Sequence, residues 1–252
     1  MTRNRYLRMP AALLATGTLL CLSVFAGTAT GHEPVPCPAG NSAKVKCFAH
    51  DDGFAIIGSK GPDVIVGTPD VDEVEGNDGN DQITTGGGND TVYGGRGADV
   101  INTGDGNDSL NGDGGGTVGD AGSDKLIGGN GDDQLVDTAG DDSLSGGNGN
   151  DHLSSGLGND RLSGGRGKDV LDGRAGNDRL SGGSGNDRLT GGDGSDTLKG
   201  GSGADRLSGG LGADVLVGGR GTDVFKCGAG DDLAKRTRGE RVSRTCERKA
   251  RG

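Results

Sequence analysis

An aspartate recurs every nine residues between Asp63 and Asp232, with a single slip of phase, and this period limits what the chain can fold into. The unit reads G-G-x-G-x-D-x-U-x, where U is aliphatic; "GGSGNDRLT", residues 182–190, is one clean copy. Six units run from Gly58 to Asn111. A seven-residue stretch, "GDGGGTV" (Gly112–Val118), then breaks the phase, and thirteen further units start at Gly119 and reach about Ala234. All nineteen carry aspartate at the sixth position, and eighteen carry Ile, Val, Leu or Phe at the eighth. Only the last differs there, with Ala234.

Composition without the period would argue for disorder. Glycine accounts for 57 of 252 residues, aromatics for 2 %, and the formal net charge is −11. Few large side chains means little apolar area to remove from water, and low hydrophobicity with high charge is the profile of an unfolded segment. A strict short period in a glycine-rich chain points instead to a stacked repeat architecture.

The chemistry of one unit agrees. Three glycines in the first four positions of "GGSGND" favour a turn, since glycine accepts positive φ and close backbone approach. "RLT" is too short for a helix and suits a three-residue strand whose central leucine points inward. Turn plus strand, repeated, gives a solenoid.

Nineteen copies with an unvarying aspartate resemble the hemolysin-type, or RTX, calcium-binding nonapeptide repeat family over about 175 residues. The resemblance implies an all-β fold, a right-handed parallel β-roll with two units, eighteen residues, in each coil. In such a roll, residues eighteen apart stack at about 4.8 Å. Asp169, Asp187, Asp205 and Asp223 would form one edge ladder, and Asp160, Asp178, Asp196 and Asp214 the other. Neighbouring carboxylates at that spacing repel by roughly 1 kcal/mol even in water. A thin aliphatic core cannot offset columns of like charge, so the folded state requires a cation on the aspartates.

Calcium, in several copies, fits the donors. It is a hard cation taking 6–8 oxygen ligands, whereas zinc prefers Cys or His and magnesium demands tight octahedral geometry. The chain has only His32, His50 and His152, none of them in phase. In the pattern the family implies, each ion lies between turns one coil apart, held by backbone carbonyls and aspartates. The candidate ligands are Asp81, Asp90, Asp99, Asp108, Asp124, Asp133, Asp142, Asp151, Asp160, Asp169, Asp178, Asp187, Asp196, Asp205, Asp214 and Asp223. Asp63, Asp72 and Asp232 lie in units that depart from the consensus, through Pro62, through Pro69 and Asp70, and through Cys227, and are expected to be weaker ligands. The phase break is expected to prevent sharing of ions across it, limiting the array to about fifteen sites.

The flanks complete the organisation. Arg3, Arg5 and Arg8 precede the apolar run Ala11–Gly27, and small residues follow, so residues 1–31 read as a secretory signal with cleavage after Ala29 or Gly31. Its removal takes away three arginines and no acids, moving the charge from −11 to −14. Cys37, Cys47, Cys227 and Cys246 then remain, allowing three pairings. The local one, Cys37–Cys47 and Cys227–Cys246, suits an oxidising compartment and would close a cap at each end, in residues 32–57 and 235–252; free thiols are the alternative. The tail from Lys235 holds eight basic and two acidic residues.

No H-E-x-x-H or G-x-S-x-G motif occurs, and the flanks leave no room for the catalytic domain that repeats of this kind often follow, so no enzyme activity is expected. The expected function is that of a secreted, extracellular calcium-binding protein of structural or matrix type, folding as it binds. The alternative is a calcium-dependent module for extracellular or cell-wall polysaccharide. An acidic exported chain is a poor nucleic-acid partner, and no integral membrane segment is expected after removal of the signal.

Overall fold

The computed structural model describes residues 53–114 and 122–235 without interruption, together with residues 37, 39–40, 42, 44–50, 241–242 and 246. The expected signal at residues 1–31, and most of the basic tail, lie outside the described residues.

Each aliphatic residue at the eighth position faces inward, and this builds two parallel sheets around one narrow core. Successive units alternate between the sheets, one of twelve strands and one of ten. Leu180, for example, pairs with Leu162 and Leu198, eighteen residues away on either side, while Leu189 pairs with Leu171 and Leu207 on the opposite sheet. The chain is thus a parallel β-solenoid of about ten coils, with no helix among the described residues. From Ile56 and Ile65 through Leu216 to Phe225, the stacked aliphatic and aromatic side chains form a single buried cluster.

Strands extend further than the unit's chemistry suggests. Most cover six residues, as in Arg188–Asp193, running through the glycine pair that the sequence assigns to a turn. The two glycines continue the ladder: Gly192 stays in register with Gly210. Only positions four to six turn the corner. Three-residue strands do occur, as at Gln134–Val136 and His152–Ser154.

The seven-residue phase break does not divide the stack. The strand Val100–Asp105 pairs with Lys125–Asn130, Ile101 opposite Leu126, at a separation of 25 rather than eighteen residues. On the other sheet Ser109–Asn111 pairs with Gln134–Val136 in the same way. The ladder resumes beyond the inserted residues. Register depends on backbone hydrogen bonds and inward side chains, and neither requires a constant loop length.

Both ends are capped. The strand Lys46–His50 lies antiparallel to Gly53–Ile57 and covers the first edge. Gly53–Ile57 already belongs to the stack, since it pairs in parallel with Val71–Asp78 and places Ile56 at the aliphatic position. Cys37 is bonded to Cys47 and Cys227 to Cys246, the local pairing.

The second glycine of the unit is tightly constrained. Gly183 has φ 107°, and a β-carbon there would collide with the Gly165 carbonyl oxygen one coil below. Gly183→Ala is expected to lower stability by about 1–3 kcal/mol, through an unfavourable φ and lost coil contact. Arg174 occupies the equivalent position at φ 70°, so Arg174→Gly is expected to raise stability. Thermal unfolding of the two variants in calcium checks both signs.

Candidate metal centre

The sixth-position aspartates are buried at the two edges where the sheets meet. All sixteen candidate ligands, Asp81 through Asp223, are at most 3 % exposed. They form two continuous columns through one repeated hydrogen bond: each backbone N–H donates to the Oδ1 of the aspartate one coil further on. Asp169 N–H donates to Asp187 Oδ1 at 3.0 Å, and Asp187 N–H to Asp205 Oδ1 at 2.9 Å. The other column runs from Asp160 to Asp178 to Asp196 to Asp214, each at 2.9 Å. Both columns cross the seam, Asp99 N–H donating to Asp124 and Asp108 N–H to Asp133. The aspartate columns thus continue through the seam at which sharing of ions was expected to stop.

The second oxygen, Oδ2, is buried and has no hydrogen-bond partner in Asp81, Asp133, Asp142, Asp151, Asp169, Asp178, Asp187, Asp196, Asp205, Asp214 and Asp223. Leaving a buried anionic oxygen unsatisfied is strongly unfavourable unless a cation meets it. The surroundings of that oxygen are suited to one. A β-carbon added at Gly182 would collide with Asp187 Oδ2 and lie 2.7 Å from the Gly200 carbonyl oxygen of the next coil. Glycine at the first position thus leaves a small cradle where a carboxylate and a carbonyl converge. The same pair recurs at Gly173 with Asp178 and Gly191, and at Gly200 with Asp205 and Gly218. Oxygen donors alone match a hard cation, so the residues present fit calcium.

The weaker expectation for the first two units has a structural counterpart. Asp63 Oδ2 accepts from Ser59 N–H and Asp72 Oδ2 from Thr68 N–H, both at 2.6 Å, so their second oxygens close local turns. Asp232 differs from them: its Oδ2 is without a partner, as in the body of the array.

Burial raises the carboxyl pKa values of several aspartates in each column, opposed by the backbone N–H that each of them accepts. Asp169, Asp178, Asp187, Asp196 and Asp205 are pushed up to about 6. Asp133 and Asp142 reach about 7.

Two sets of residues escaped the sequence reading. The fifth position forms an outer ladder of opposite direction, in which Asn159 Oδ1 accepts from Asn177 N–H and Asn177 Oδ1 from Ser195 N–H. Its signal was the frequency of Asn and Asp just before the invariant aspartate. The first position is not always glycine: Thr85, Thr103, Asp137 and Ser155 replace it, all buried. The Thr103 hydroxyl donates to the Gly128 carbonyl at 3.0 Å and the Ser155 hydroxyl to that of Gly173 at 3.2 Å, so these side chains enter the cradle.

Comparison with known families matches the RTX calcium-binding nonapeptide repeat in eight stretches that together span residues 57–234. The chain belongs to the RTX calcium-binding repeat family. Among curated proteins none matches it. As an RTX repeat protein it binds calcium, and Asp187 Oδ2 with the Gly200 carbonyl illustrates the donor pair that its residues supply.

Two predictions follow from the dual use of each carboxylate in this RTX array. Asp187→Ala leaves the Asp169 N–H without its acceptor and is expected to destabilise the roll by about 1–3 kcal/mol with or without calcium. Asp187→Asn keeps an acceptor at Oδ1 while removing the charge; it should match or exceed wild type in chelator yet need more calcium to reach full stability. Denaturant unfolding with calcium at neutral pH, and in chelator below about pH 4 where the protonated roll is expected to persist, separates the two roles. The second concerns pH. A carboxyl whose pKa is raised from 3.8 to about 6 binds its proton more tightly in the folded chain. Stability in chelator should therefore be greatest below about pH 4 and fall as pH rises towards 7. With calcium the trend reverses, because acid competes for the ligands. Circular dichroism against pH, with calcium and with chelator, tests both directions.

Proposed function

We propose that this is a secreted, non-catalytic RTX protein whose folding is coupled to calcium binding, with a structural or matrix role outside the cell. The observation that carries the reading is the column of buried Oδ2 atoms, most of them beside a glycine cradle. Asp169, Asp187 and Asp205 repeat the arrangement one coil apart, so a cation held at one coil steadies the next. Nearest-neighbour coupling of this kind makes ordering of the roll cooperative in calcium. The sixteen aspartates from Asp81 to Asp223 are the proposed ligands. The apolar run at residues 11–27 behind three arginines supports export, and the two cystine caps suit an oxidising exterior, where calcium is abundant.

Inside a cell, with little free calcium, such a chain remains extended; outside, it becomes a rigid rod. The experiment is far-ultraviolet circular dichroism of the purified mature chain. At neutral pH, chelator should give a coil spectrum and millimolar calcium a β spectrum, with a steep transition between them. Magnesium at the same concentration should leave the coil unchanged. A β spectrum in chelator at neutral pH would refute the coupling.

A further inference from the structure

At the seam, three carboxylates meet where the rest of the array places one. Gly112 heads the phase break, and a β-carbon there would collide with Asp124 Oδ2, so it stands where the first glycine of a unit forms the ordinary cradle. Two further residues join Asp124. Asp137 stands one coil on at a position held in most units by glycine, and Asp113 is the second residue of the phase break. Carboxylate oxygens of Asp113, Asp124 and Asp137 lie within 4.8 Å of one another, and all three residues are buried.

Charge crowding alone does not define a site; the orientation of the unsatisfied oxygens does. Asp137 is 1 % exposed, and its Oδ2 has no hydrogen-bond partner. It points into the cradle, since a β-carbon at Gly112 would collide with both Asp137 Oδ2 and Asp124 Oδ2. The remaining oxygens are already engaged. Asp137 Oδ1 accepts from Thr138 N–H at 2.7 Å. Asp113 Oδ2 accepts from Thr138 N–H at 3.0 Å, from Ala139 N–H at 3.1 Å and from the Thr138 hydroxyl. These bonds fix the two side chains and leave Asp113 Oδ1, in a residue 2 % exposed, also without a partner.

We infer that Asp113, Asp124 and Asp137 form a distinct cation site at the seam, selective for a hard multivalent ion and tighter than the repeat sites. Three carboxylates converge on it, against one at a standard cradle, and affinity of oxygen-donor sites rises with ligand charge and rigidity. It lies at the join of the two repeat blocks: Asp113 belongs to the phase break, and Asp124 and Asp137 belong to the second block. The competing account of so close an acidic group is a carboxyl pair sharing a proton, which needs no metal.

The test is a calcium titration of the full chain against a competing chelator at neutral pH, with circular dichroism in parallel. Wild type should show one equivalent bound about tenfold or more tightly than the remainder. Asp137→Gly restores the consensus glycine and so is expected to fold; it should lose that equivalent and keep the others. Asp113→Asn should weaken it while leaving the rest of the curve unchanged. Terbium(III), sensitised by Tyr93, whose strand partner Asn111 directly precedes Gly112, should lose its first phase in both variants. Superimposable titrations for wild type and Asp137→Gly would overturn the site in favour of the shared proton. A wild type already folded in chelator would defeat the coupling proposed above, while the presence or absence of the tight equivalent would still decide the seam.

Discussion

The hydrogen bond from one aspartate's backbone N–H to the next coil's Oδ1 sets the geometry of everything else in this roll. It ties the sixth position of every coil to the sixth position of its neighbour, from Asp63 to Asp232. It also turns the carboxylate so that its other oxygen faces inward, over the glycine of its own unit. A single side chain thereby acts as a coil-to-coil strut and as half of a cation cradle. The repulsion between stacked carboxylates is softened by one donor each, and the remainder falls to the ion. That division explains why the position tolerates no substitute in nineteen units. Asparagine would retain the strut and lose the charge; glutamate would place its oxygens a methylene too far.

The aliphatic position is a lesser but matching constraint. Leucine in the second block gives way to Ile and Val through much of the first, and to Phe225 near the end, without disturbing the register. A core one side chain thick can accept such changes because each layer meets only its neighbours. The cystine caps protect the two ends of the stack, where a strand edge would otherwise be open to pairing.

Much of this was legible in the sequence, because function and fold repeat together. The period located the inward leucines and the edge aspartates, and the composition of the turn indicated oxygen ligands. What was not legible has a common cause. The glycine pair carries no side-chain pattern, so its continuation of the strand, as at Gly192, leaves no trace in hydropathy. The seam interrupts the period along the chain but not in space, and only strand pairing shows that Ile101 meets Leu126. Asp113 and Asp137 come together only once that pairing is known. The Asn159–Asn177 ladder was hidden because asparagine beside a glycine reads simply as a turn former.

The alternation of units between the sheets has a consequence for how such a rod can change length. Arg161 and Arg179 project from one face and Arg188 and Arg206 from the other, because they lie an odd number of units apart. Gain or loss of a single nonapeptide would leave core and columns intact yet exchange the two faces for the whole chain downstream. Gain or loss of eighteen residues preserves them, and so does an insertion between strands that leaves the ladder in register, as the pairing of Ile101 with Leu126 across the seam illustrates. Two kinds of growth are therefore silent on the surface, and a third rewrites it at a stroke while the interior registers nothing.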